Sequence, residues 1–107
     1  MTLLLNAQGA RLSAMEQRLV VSGDVDFDVA TVIADAGRQW LVACPPNGEI
    51  ELDFGGVDRV SSAALSVMLE WMRCAVDAGL TVRTVILSPP LRRLTEVASL
   101  DALLPAD

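Results

Sequence analysis

The chain has 107 residues, 14 acidic and 8 basic side chains and a formal charge of −6, with a sequence pI near 4.4. One small domain spanning 1–107 is expected at this length, and the acidic balance argues against a nucleic-acid binder, which needs clustered cations. All eight cations are Arg, and Lys, His and Tyr are absent, which removes His-based triads, His metal sites, P-loop lysines and Schiff-base chemistry.

Apolar residues make up 52% of the chain and aromatic residues only 4%, so Leu, Val and Ala must do the packing. Residues 10–14 and 18–23 read as two strands around a turn at Glu16-Gln17. Leu19-Val20-Val21 supplies the β-branched stretch and Gly23 closes it. Residues 28–43 read as a helix, with Asp28 as the expected N-cap and Val29, Val32, Ile33 and Ala36 at helical spacing. Pro45-Pro46-Asn47-Gly48 breaks the chain.

Glu49 to Phe54 alternates polar and apolar residues, the pattern of a strand with one buried face, and Gly55-Gly56 reads as a turn. A second helix is expected from Ser61 or Ser62 to about Ala78. Its stripe is Leu65, Met68, Leu69, Met72 and Val76, Trp71 falls off that stripe, and Gly79 suits the C′ position. Val82–Leu87 reads as a strand, Pro89-Pro90 opens a helix over 90–98, and a short turn is expected at Asp101–Leu104. The order ββαβαβα implies an α/β fold, a mixed sheet with helices packed mainly on one face.

Several motifs have bland readings. Asp24-Val25-Asp26-Phe27-Asp28 opens like a calcium loop, but the sixth position is Val29 where Gly is needed, so capping and charge at a helix start account for it better. Asp53 and Asp58 read as solvated carboxylates rather than an acid–base pair. Cys44 and Cys74 read as buried free thiols. No apolar run approaches the ~20 residues that span a bilayer, and the N-terminal residues lack the cationic start and apolar stretch of a secretory signal. No metal, no cofactor and no catalytic residue is expected.

The most informative segment is Asp58-Arg59-Val60-Ser61-Ser62-Ala63-Ala64-Leu65, a strand end running into a helix start. Orphan amide N–H groups carry partial positive charge there, so a hydroxyl at this place can cap the helix, receive a phosphoryl group or dock a partner. Phe27 is a large apolar group in an otherwise acidic turn, which reads equally as an interface anchor or as a half-buried packing residue.

The order of elements, the strand "EIELDFGGVDRV", the turn "SSAAL" and the closing "SPPLRRLTEVASLDALL" resemble the STAS-domain family of anti-sigma-factor antagonists over about residues 10–104. Ser62 falls on the family's hydroxyl position, Ala64 on its usual Gly and Leu65 on its Leu. Ser61 stands where Asp is usual, which counts against a kinase-driven phosphorylation cycle. Within the family, "LSVMLEWMRCAVDAG" and "PPLRRLTEVASLDALLP" are most similar to the stand-alone cytoplasmic subunit of Mla-type phospholipid-transport ABC systems. That resemblance implies a non-catalytic regulatory subunit at the inner face of the inner membrane, bound to the transporter's ATPase subunit. The partner-binding residues expected are Asp26, Phe27, Arg59, Ser61, Ser62 and Leu65. The alternative is an anti-sigma-factor antagonist with Ser62 as the phosphoacceptor.

Overall fold

Strand pairing begins one element earlier than the hydrophobic pattern indicates. In the computed structural model, which describes residues 2–58, 62–100 and 104, Thr2–Ala7 forms strand β1 against β2, Ala10–Met15. Three consecutive Leu residues in β1 show no period-two alternation, so the segment carries no strand signal of its own. It is held by the Gln8-Gly9 turn, where φ is 52° and 89°, the left-handed pair that two-residue hairpins favour. β3, Arg18–Gly23, pairs antiparallel with β2. β4, Glu49–Val57, pairs parallel with β3, and β5, Thr81–Leu87, pairs parallel with β4.

The sheet order β1-β2-β3-β4-β5 follows the chain. Right-handed crossovers between successive parallel neighbours in one direction place both connecting helices on the same face. α1, Phe27–Ala43, lies over the β1–β2 side, α2, Ser62–Asp77, over β5, and α3, Pro89–Val97, against β4 and β5. The helix-bearing face is apolar, with Leu12, Leu19, Val21, Ile50, Leu52 and Phe54 all buried. The opposite face of β3 and β4 is charged: Arg18 Nη2 lies 3.1 Å from Glu51 Oε1, and Arg18 Nη1 lies 3.8 Å from Asp53 Oδ2. The expected mixed sheet with helices on one side is thus the architecture, with one added edge strand.

β4 continues through Gly55-Gly56, where a turn was expected. A β-carbon at Gly56 would come within 2.8 Å of Ser22, so glycine lets β4 pass beside β3 where their register shifts. The expected cap Asp28 is a first-turn residue instead. Asp26 caps α1, its carboxylate accepting the Val29 N–H at 3.1 Å, while Asp28 adds favourable charge near the helix start. α2 ends as expected at Gly79, φ 77°, with the Gly79 N–H donating to Val76 and the Leu80 N–H to Ala75. α3 is capped by Ser88, which accepts from the Leu91 N–H. The turn expected at 101–104 lies outside the described residues except for Leu104.

The helix faces are rotated from the expected stripes. Val32 and Val76 are exposed, Leu69 and Met72 only partly buried, and Trp71 is completely buried. The reason is helix–helix packing. Ala63, Ala64, Val67 and Ala75 turn inward with Trp71 because α2 packs against α1 as well as the sheet. The Trp71 ring fits against Gly37 of α1, where any β-carbon would overlap it, and its indole N–H donates to the Ala34 carbonyl at 3.2 Å. Phe54 of β4 lies beneath, with ring centroids 5.5 Å apart.

Cys44 and Cys74 are free and half-buried, and the Cys44 thiol donates to the Trp40 carbonyl. Burial pushes both thiols above their ordinary pKa. At Cys74 the Arg38 guanidinium pulls the other way, and Asp77 and Glu70 reinforce the rise.

Gly37→Ala tests the notch. Alanine normally stabilises a helix interior by about 1 kcal/mol over glycine, but here its methyl group overlaps an indole, so stability should fall by about 1–3 kcal/mol in urea unfolding. The thiols give a second test. With folded pKa values above the unfolded one, both states are protonated below the unfolded pKa, and stability is lost as pH rises through the thiol range. The double variant Cys44→Ala/Cys74→Ala should show a smaller alkaline decline in unfolding midpoint than wild type.

Candidate functional site

Both parallel crossovers start at the same edge of the sheet, the carboxyl ends of β3 and β4. The Asp58 N–H donates to the Gly23 carbonyl at 3.0 Å and ties the two loops together there. α1 and α2 therefore begin side by side. Asp26, exposed, is committed to its cap. Phe27 follows as the first residue of α1 and is 72% exposed, although a side chain of that size is normally buried. Ser62 is exposed and is the first helical residue of α2, inside the helix rather than at its cap.

Below these starts, α1 and α2 enclose a groove of about 380 Å³. Ala30, Ala34, Ala63 and Val67 give it a low apolar floor, and Phe27, Thr31, Ser66 and Arg73 rise around it. Its far end is crossed by an ion pair, Arg38 Nη1 to Glu70 Oε1 at 3.5 Å, with Arg38 also paired to Asp35 one turn back. These pairs are exposed, so they shape the rim more than they stabilise the fold. The groove is suited to receive a side chain or helix of another protein, since its floor is apolar and its rim is polar.

Asp26, Phe27 and Ser62 lie on this exposed end. Leu65 is only 8% exposed and belongs to the core cluster, so it supports α2 from beneath and presents almost no contact surface. Arg59 and Ser61 lie outside the described residues. Sequence periodicity does not single out Thr31, Ala34, Ser66 and Val67. The available signal is small residues at i and i+4, Ala30 with Ala34 and Ala63 with Val67, which becomes a groove only when two helices are paired. Asp53, considered as half of an acid–base pair, accepts the Gly55 N–H at 2.8 Å and faces Arg18 on the helix-free side of the sheet. Among the described residues no three or more His, Cys, Asp and Glu side chains converge as a metal site. No helix among them is long and apolar enough to cross a membrane.

A five-stranded mixed sheet with three helices on one face, and a groove between two helix starts, defines an α/β module of the STAS type. The family described as "Mlab, STAS domain" matches residues 9–105, and the chain belongs to the STAS-domain family. No curated protein matches it. STAS domains commonly mediate protein–protein interactions and are in general non-enzymatic binding domains.

The two helix starts should respond differently to truncation. Asp26→Ala removes a side-chain cap and should cost about 1 kcal/mol. Ser62→Ala alters an exposed residue within the helix and should stay within about 0.5 kcal/mol of wild type. Urea unfolding of the two variants side by side checks both.

Proposed function

We propose that this protein is the non-catalytic, cytoplasmic STAS subunit of an Mla-type phospholipid-transport ABC system, which docks on the ATPase subunit and regulates or stabilises it. It would then lie at the inner face of the inner membrane through its partner, with no insertion of its own. The observation that carries the reading is the exposed Phe27 beside the α1–α2 groove, at the end where the family's hydroxyl position, Ser62, is also exposed. An apolar side chain of this size at the edge of a polar-rimmed groove supports a protein partner rather than a small substrate. The choice of transporter rests on the resemblance of the α2 segment and the closing segment to that subunit. In this reading Asp26 fixes the start of α1 and hence the direction in which Phe27 projects, and Ser62 donates or accepts at the interface. Arg59 and Ser61 would complete the contact.

A second reading has one observation in its favour. Ser62 is solvent-accessible at a helix start, where a phosphate would meet partial positive charge. It would make the chain an anti-sigma-factor antagonist switched by phosphorylation of Ser62.

The experiment is titration of the purified chain onto the ABC ATPase encoded in the same gene neighbourhood, with ATP turnover measured alongside. Wild type should bind and change turnover. Phe27→Ala should weaken binding by roughly 1–2 kcal/mol, and Thr31→Arg, at an exposed groove position, by at least as much while melting like wild type. A folded wild-type chain that neither binds this ATPase nor changes its turnover would overturn the transporter reading. Binding instead to an anti-sigma kinase, lost on Ser62→Glu, would establish the second.

A further inference from the structure

β5 is the last strand of the sheet, and among the described residues no strand pairs with its outer side. Its inner side is satisfied by β4. Thr84 to Leu87 run in unbroken register with Glu51 to Phe54, and the Ser88 N–H donates to the Phe54 carbonyl. Main-chain groups of successive residues turn to opposite sides of a strand. With the Ser88 N–H turned toward β4, those of Leu87 and Val85 point away from it, at the open edge.

Sheet edges are ordinarily blunted by charge, proline or a bulge. β5 is blunted only at its start, where the register with β4 shifts around Arg83, its one charged residue. From Thr84 to Leu87 it reads Thr-Val-Ile-Leu, with no charge, no proline and three β-branched residues. The opposite edge differs. β1 carries its register shift between Leu3 and Leu5, which interrupts that edge halfway along. α2 and α3 both pack on β5, and each presents an exposed apolar side chain, Val76 at 72% and Val97 at 84%.

An open edge of this kind is completed by another strand, and the sequence of β5 suits its own copy. Val85 and Leu87 are buried under the helices, so Thr84 and Ile86 lie on the helix-free face. Antiparallel pairing about a dyad through Val85 sets Val85 opposite itself in a hydrogen-bonded pair. It sets Thr84 opposite Ile86, so these cross-strand pairs are all β-branched. Arg83 falls opposite Leu87, and like charges do not meet. The dyad stands normal to the sheet, so both helical layers stay on one face and α2 and α3 come beside the interface with their exposed valines. A twofold contact closes on itself and ends assembly at the dimer.

We infer that β5 is a dimerisation edge, where a second copy adds antiparallel across Val85 to make one continuous ten-stranded sheet from two five-stranded ones. The edge lies apart from the groove between α1 and α2, so the inference does not rest on the identity of the protein that the groove takes. A seven-residue edge is small for an interface, so the dimer is weak and concentration-dependent.

The test is sedimentation equilibrium of the whole chain from micromolar concentration to about 1 mM, with amide hydrogen exchange at both limits. Wild type should pass from monomer to dimer with a midpoint on the order of 0.1 mM. The Val85 and Leu87 amides should exchange severalfold more slowly at the high limit, while those of Thr84 and Ile86, directed at β4, should change far less. Thr84→Lys/Ile86→Lys sets like charges opposite each other twice across the dyad and should hold the chain monomeric. Thr84→Lys/Ile86→Glu sets opposite charges there and should restore the dimer. Melting temperatures show that each variant is folded. The inference is overturned if wild type stays monomeric throughout, or if dimerisation slows the amides of β1 or of the α1–α2 groove instead. It is equally overturned if the folded like-charge variant dimerises as wild type does, or if the folded opposite-charge variant stays monomeric. Should either variant not fold, the exchange pattern of wild type decides alone.

Discussion

The close approach of Trp71 to Gly37 is the contact on which the helical layer depends. An indole is the largest side chain available, and burying it completely requires a gap in the neighbouring helix. Gly37 provides that gap, the Ala34 carbonyl satisfies the indole N–H, and Phe54 closes the space from the sheet side. One side chain thereby joins α1, α2 and β4. Burying its N–H without a partner would cost about 1–3 kcal/mol, so the hydrogen bond also fixes where along α1 the second helix can sit. With only two Trp and two Phe in the chain, few other contacts could set that relation.

The position of the groove between α1 and α2 follows from this contact. Trp71 lies under the interface of α1 and α2, which leaves Ala30, Ala34, Ala63 and Val67 to form a shallow floor above it. Larger residues at these positions would fill the groove. The one-sided sheet decides where the groove opens, because both parallel crossovers start at the carboxyl ends of β3 and β4 and bring two helix starts together. The charged face of the sheet, centred on Arg18, Glu51 and Asp53, needs no second helical layer because its polar side chains keep contact with water.

The two ends of the molecule present different chemistry. At one end a large aromatic side chain projects beside an open groove, which suits a macromolecular partner. At the other end a half-buried indole, that of Trp40, lines a hollow with Ile50 and Leu80. α1 serves both, with Phe27 at its first turn and Trp40 in its last.

Local chemistry determined much of this fold from the sequence. β-branched runs and alternation located β3, β4 and β5, Pro45-Pro46-Asn47-Gly48, Gly79 and Pro89-Pro90 located breaks although Gly55-Gly56 lies within β4, and the order of strands and helices fixed a mixed sheet with the helices on one side. Asp58 to Leu65 and Phe27 were legible as a candidate contact region because a strand end meets a helix start there and an aromatic residue interrupts an acidic turn. What tertiary structure alone decided was the rotation of the helices and everything that depends on it. Trp71 lies off the apolar stripe of α2, and Val76 lies on it, yet Trp71 is buried and Val76 is exposed. Periodicity measures burial against one surface, whereas α2 is packed against two, and small residues such as Gly37 and Ala63 become informative only when the opposing helix is in place. β1 is the same lesson in the sheet. Its three leucines have no alternation to read, and their strand exists because β2 supplies the hydrogen bonds.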